Sequence, residues 1–405
     1  MNNSFISTKN SFVFVFLLIV LHFGAIFFTI NNMSISYKEA LVFFDTQNTL
    51  LHFLTNIWTN IFGQNNLSIK LSFTLLHFIN LMLLIKISLF YLKQKKDILL
   101  LVFIYTFMLG AFSSAILVNE AVINQFGILL FVYFFHANKF VSFALLPILL
   151  FLDNSFAILF LSLFFYSFLV KNKILGVSSF LLFIVSMNLF GFDIHHKPQS
   201  HFLPTISTYA VIFSPIIFIF LTSILFKHLS ENANMSKNIL WYCSMTSLIF
   251  SLLLSFRQSI DIDDFAPYIV LSFVLIVKEF LYSLRVKLKY FRAKNYIFLF
   301  LTSFYFIITF IFTILHWQFY PFAKNIQDDV FSRNYLAKDL AKELKIMGVN
   351  GVSTDKKMQL RLSFYGIKKD NAYLLTSDDI SPDTKHIQIN YGAFKKDFYL
   401  KRAKK

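Results

Sequence analysis

Apolar residues recur along the first 316 positions in long runs separated by short polar stretches. Eleven runs read as membrane spans, at roughly 11–30, 67–92, 98–117, 124–137, 139–152, 154–170, 174–191, 209–226, 238–256, 267–284 and 297–316. Several are short for a bilayer that needs about 20 apolar residues. The runs 139–152 and 154–170 are parted only by Asp153-Asn154. Between the first two spans the pattern turns periodic. Leu50, Leu51, Leu54, Ile57, Trp58, Ile61 and Phe62 fall at helical spacing, which predicts an amphipathic helix lying along the membrane surface.

Beyond residue 316 the long apolar runs stop. Leu336, Leu340, Leu344 and Met347 share one helical face over 331–347, and Gly348 follows as a cap. Strand-like runs come next at 351–354, 373–376 and 386–390, with a second short helix expected over 355–365. The expected fold is an all-α polytopic membrane domain over 1–316 and a small α/β domain over 317–405 outside the membrane.

Composition narrows the class. The chain has 405 residues, is 57% hydrophobic and carries 56 Phe, which excludes a soluble globular domain. The net charge of +16 invites a nucleic-acid reading. We decline it, because the charge is divided between short loops and the tail, as in a membrane protein. Alternate loops carry Lys9, Lys93, Lys95, Lys96, Lys139, Lys171, Lys173, Lys227, Lys237, Arg285, Lys287, Lys289, Arg292 and Lys294; the opposite loops before the tail carry only Lys38, Lys197 and Arg257. That bias puts the N-terminus inside and the tail outside, and residue usage fits a bacterial inner membrane. The first run lacks a small-residue cleavage site and reads as a retained span. The single cysteine, Cys243, rules out an intramolecular disulfide.

Acidic residues sort the other way. Glu39, Asp45, Glu120, Asp153, Asp193, Asp261, Asp263 and Asp264 fall on the outer side, against Asp97, Glu231 and Glu279 on the inner. Acidic residues contribute little to orientation, so the asymmetry suggests a polar, outward-opening cavity. Glu120 and Asn124 lie four apart and point the same way on one helical turn. Asn124 could donate to a phosphate oxygen and Glu120 could bind a divalent cation; a plain polar turn is the alternative. Asp153 reads as the N-terminal cap of the following helix. His195, His196, Lys197 and His201 make a cationic patch for a lipid phosphate or a solvated loop. Arg257 closes a span, where its guanidinium suits a phosphate or simply reaches to the interface. The run Asp261, Asp263, Asp264 lacks the glycine and distal glutamate of a calcium loop.

Lys38-Glu39-Ala40, then Leu51-His52-Phe53-Leu54-Thr55, then Ile61-Phe62-Gly63-Gln64-Asn65, then Lys70-Leu71 resemble the first outer loop of the GT-C membrane glycosyltransferases. The similar branch holds the protein O-mannosyltransferases and the lipid A aminoarabinose transferases. The resemblance implies transfer of a sugar, with inversion, from a polyprenyl-phosphate donor to a protein, lipid or glycan acceptor on the outer face. It implies Glu39 as the general base and Lys70 in the place of the family's arginine. It also implies a donor site near Glu120. Lys38 stands where the family has an aspartate, a departure that favours a non-catalytic relative; a transporter or flippase of a lipid-linked solute is the other alternative.

Overall fold

The structure is a computed structural model that describes residues 8–45, 49–191, 199–230, 238–315, 335–377, 384–391 and 394–402. It is predominantly helical and divides into two units. One comprises 1–22, 75–115 and 119–308; the other comprises 23–74, 116–118 and 309–405. The division therefore does not fall at residue 316. The first outer loop belongs with the tail, in one unit with parts of its two flanking helices.

Four helices are long and apolar enough to cross a membrane: α1 (Thr8–Asn32), α4 (Asn66–Ser88), α10 (Lys173–Phe190) and α16 (Ala293–Ile314). Two bent pairs bring the number to six among the described residues, short of the eleven expected from the sequence. The first pair is α5 (Ile98–Phe107) and α6 (Leu109–Ile116), bent by 59°. The second is α11 (Phe202–Phe213) and α12 (Pro215–Ser230), bent by 107°. Pro215 disfavours helical backbone at Ser214, which instead takes φ +72°. What reads as one span from 209 is thus two helices meeting at a corner.

Shorter apolar helices fill the rest of the first unit: α7 (Ala121–Ala137), α8 (Lys139–Leu150), α9 (Phe156–Val170) and α13 (Ile239–Ser255). The expected span 267–284 is broken into α14 (Ile262–Val270) and α15 (Ser272–Val286). α7 and α9 pack closely because residue 127 is glycine. A Cβ there would lie 2.4 Å from Phe156 Cζ.

In the second unit the end of α1 is followed by α2 (Tyr37–Phe43) and α3 (Leu50–Phe62). α3 matches the predicted amphipathic helix. Its Thr55 and Thr59 are buried while Phe53, Ile61 and Phe62 are exposed. A helix that hides its threonines and presents its aromatics is suited to an apolar surrounding. The tail holds α17 (Leu336–Ile346), α18 (Lys356–Phe364) and strands β1 (Gly351–Ser353), β2 (Lys368–Thr376), β3 (Lys385–Tyr391) and β4 (Phe394–Arg402). The sheet order is β1-β2-β4-β3, with β1 and β2 parallel across α18 and the other pairs antiparallel. Leu340, Leu344, Val352, Leu362, Leu375 and Leu400 form its core. β4 reads poorly in sequence because Lys395, Lys396, Asp397 and Lys401 interrupt its apolar alternation.

Candidate functional site

Three carboxylates meet in the first unit. Glu120 directly precedes α7, Asp153 lies in the turn before α9, and Asp264 sits in the first turn of α14. Each offers one oxygen, and the three oxygens all lie within 4.8 Å of one another. Local chemistry fixes each. Asp153 Oδ1 accepts a 2.8 Å hydrogen bond from the Ser155 amide. Since Ser155 is itself the cap residue of α9 and no side chain caps the helix, Asp153 closes the preceding turn and is not the N-cap expected from the sequence. Tyr268 Oη donates to the Ser155 carbonyl at 2.8 Å, tying α14 to that same turn. Ser247 and Ser244 of α13 donate to the carbonyls of Phe265 and Tyr268 at 2.8 and 2.9 Å. Asn80 donates to the Val122 carbonyl at 3.0 Å and holds the start of α7.

Like charges this close oppose one another. Glu120 stands at the rim, open to solvent. Partial desolvation, then the negative charges of Asp153, Asp263 and Asp261, push its carboxyl up to about 7. Burial, then Asp153 and Glu120, push Asp264 up to about 8. Burial also raises Asp153, opposed by the Ser155 contacts and by Asn124. The Asn124 side chain is fully buried beside Asp153, near enough to favour its ionised form, but neither carboxamide atom reaches full hydrogen-bond geometry among the described residues. Glu120 and Asn124 both come near Asp153, Glu120 exposed at the rim and Asn124 fully buried.

A cavity of about 420 Å³ adjoins the cluster. Asn154, Ser155, Gln258, Asp261 and Asp264 supply its polar wall, and Leu254 and Phe265 part of its apolar wall. The Asn154 carboxamide oxygen has no hydrogen-bond partner among the described residues. Such a site can hold a shared proton or a hard divalent cation, for which oxygen donors are the natural ligands.

Glu39 has a different setting from the open, outward-facing carboxylate expected from the sequence. It is buried in the second unit as the third residue of α2. Its Oε2 accepts from the Ser36 amide at 2.8 Å, completing a capping box. Its Oε1 accepts from the Val118 amide at 3.2 Å and lies 3.2 Å from Lys70 Nζ. Lys38, its neighbour in sequence, is exposed; the buried lysine that pairs with Glu39 is Lys70.

The tail completes this nest. Arg361 Nε donates to the Ile35 carbonyl at 2.7 Å and Nη2 to Ser34 Oγ at 2.8 Å. Tyr365 Oη donates to Asn66 Oδ1 at 2.6 Å and accepts from the Ile35 amide at 2.8 Å. Burial lowers the Arg361 pKa, and the charges of Tyr365 and Glu39 act against that. Neither Arg361 nor Tyr365 stands out in the sequence, because nothing local links the tail to residues 34–39.

Arg257 is exposed, and its guanidinium makes no hydrogen bond or ion pair among the described residues. Its carbonyl accepts from the Gln199 amide at 3.1 Å, and its neighbour Gln258 lines the cavity. Lys197, His195 and His196 lie outside the described residues. Compared with known families, curated proteins and solved structures, the chain matches no family model, no curated protein and no solved structure.

Proposed function

We propose that this chain is a membrane-bound inverting glycosyltransferase that moves a sugar from a polyprenyl-phosphate donor to a protein, lipid or glycan acceptor. The observation that carries the reading is the three-carboxylate cluster beside a cavity in an apolar helical unit. A general base works best with a pKa near the operating pH, and Glu120 at about 7 meets that requirement. A cavity of about 420 Å³ falls within the usual range for small-ligand sites. The apolar helices beside it suit a polyprenyl chain.

In this reading the acceptor hydroxyl gives its proton to the Glu120 carboxylate. The acceptor oxygen bonds to the anomeric carbon from the face opposite the donor phosphate. The bond from that carbon to the phosphate oxygen breaks, and polyprenyl phosphate leaves with the electron pair. Arg257, one residue from the cavity wall, is placed in the sequence to meet that phosphate. With Glu120 serving as base, Asp153 and Asp264 are left to hold a divalent cation, with Asn124 as a buried neutral donor. When bound, a cation would add Lewis-acid stabilisation of the leaving phosphate. The reading moves the base from Glu39, which is enclosed, to Glu120, and leaves Glu39 and Lys70 to hold the fold of the first loop. The open, acidic side of the first unit is then the outer face of a bacterial inner membrane.

The test is a transfer assay with purified protein, radiolabelled polyprenyl-phosphate sugars and candidate acceptors. Product formation that is lost in Glu120→Gln and kept in Lys38→Ala supports the assignment. Wild-type turnover in Glu120→Gln removes it.

One observation favours a second reading, proton-linked transport. His22 and His77 are fully buried within two candidate spans, with their Nε2 atoms 2.9 Å apart. Tyr105 Oη lies 3.3 Å from His77 Nδ1 and accepts from Gln125 at 3.1 Å. Ionisable groups at membrane depth often mark proton paths. Acidification of proteoliposomes on solute uptake, without covalent transfer, would favour it.

A further inference from the structure

A larger cavity, about 930 Å³, lies between α1, α5, α15 and α16 of the first unit. Its lining divides by chemistry. One end carries Lys96, Arg285 and Arg292 with a single carboxylate, Asp97. The remainder is apolar, with Leu100, Phe103 and Leu299 among its walls. From Ala293 to Ser303, which lines the groove, α16 rises about 15 Å at 1.5 Å per residue. Half of a hydrocarbon core about 30 Å thick is the same length.

The cations are not equivalent. Arg285 is committed to the buried Asp97 and to Gln94 Oε1, the latter at 3.2 Å. Arg292 gives Nε to the Lys287 carbonyl at 2.7 Å and Nη2 to the Arg285 carbonyl at 3.3 Å, which aims the guanidinium and leaves Nη1 uncommitted. Lys96 makes no hydrogen bond or ion pair among the described residues. The groove mouth thus keeps an oriented guanidinium and a free ammonium above an apolar slot of one-leaflet depth.

We infer that this groove is a binding site for an anionic glycerophospholipid, its phosphate held by Lys96 and Arg292 and its acyl chains lying against α1, α5 and α16. Neither cation has a carboxylate of its own, so a phosphate supplies what the pair lacks. Two acyl chains, rather than one long polyprenyl chain, match a slot of about 930 Å³ that is one leaflet deep. The inference needs the chain to sit in a bilayer but does not depend on the transferase reading.

The test is native mass spectrometry of the full chain, reconstituted in equal mixtures of phosphatidylglycerol and phosphatidylcholine and then stripped of loose lipid. Retention of phosphatidylglycerol on the order of tenfold over phosphatidylcholine is expected. The variant Lys96→Gln/Arg292→Gln should abolish that preference. Arg285 is left in place because it neutralises buried Asp97. A Leu299→Trp variant supplies an independent readout: brominated phosphatidylglycerol should quench its added fluorescence more than brominated phosphatidylcholine. Equal retention of the two lipids, an undiminished preference in the double variant, or displacement by equimolar polyprenyl phosphate each overturns the inference.

Discussion

Lys70 Nζ lies 3.2 Å from Glu39 Oε1, and both side chains are buried. The pair joins the start of α4 to α2 in a nest that also receives amides from Ser36 and Val118. Among the described residues Lys70 has no other polar partner. Removing either member strands a buried charge.

That geometry sets a cost. Lys70→Met or Glu39→Gln should each destabilise the second unit by about 3 kcal/mol or more, since an unpaired buried charge is expensive. The double variant should cost less than the sum. Detergent-phase thermal unfolding of the four proteins measures the coupling; strict additivity would mean that the pair is not linked in the folded protein.

Tyr365→Phe removes one hydroxyl that serves both Asn66 and Ile35. Leaving the Ile35 amide and the Asn66 carboxamide oxygen without partners should cost about 1–3 kcal/mol. Limited proteolysis should then cut the tail sooner than in wild type, while Lys356→Ala, on an exposed face of α18, should not change the cutting rate.

The raised carboxyls of Glu120 and Asp264 tie stability to pH. Their folded values, about 7 and about 8, lie above the ordinary carboxyl values of 4.5 and 3.8. The folded state therefore holds protons that the unfolded state has released between these limits. Their stabilising contribution is complete below about pH 4 and fades as pH rises through 7 and 8. Melting temperature should fall over that window, and Asp264→Asn should flatten the fall. A millimolar divalent cation should restore stability at pH 8 if it replaces the lost protons. For the proposed transfer, rate should rise with pH through about 7 as Glu120 ionises.

Gly127→Ala should disturb the same cluster from a distance. The added methyl would sit 2.4 Å from Phe156 Cζ and 3.0 Å from Leu149 Cδ2. Overpacking of this kind costs about 1–3 kcal/mol. It also separates α7 from α9, and hence Glu120 from Asp153. Lower thermal stability together with a weaker pH dependence is the expected result; a stability loss with an unchanged pH profile would show the cluster intact.

Sidedness is open to a direct check. Cys243 is buried and is the only cysteine, so single cysteines can be introduced on a Cys243→Ser background. Positions 261 and 294 are both exposed. A membrane-impermeant maleimide should label them from opposite sides of inverted and right-side-out vesicles. Labelling of both from one side would refute the alternation drawn from Lys and Arg.

The sequence by itself determined the class of the protein and its local elements. Apolar runs marked the helices long and apolar enough to cross a membrane, though four to six among the described residues and not eleven, and α3, α17, α18 and β1 fall where periodicity and Gly348 put them. Those features are written in nearest-neighbour chemistry, which one window of residues contains. Tertiary structure decided the rest. Whether an apolar run is one span or a corner turned on the backbone conformation of Ser214, and Lys70 became Glu39's partner through a contact thirty-one positions away. Arg361 reaches the Ile35 carbonyl from the tail, and Asp264 reaches Glu120 and Asp153 only because Tyr268 and two serines on α13 pin α14. Long-range electrostatics and packing fix these pairings, and no spacing along the chain encodes them.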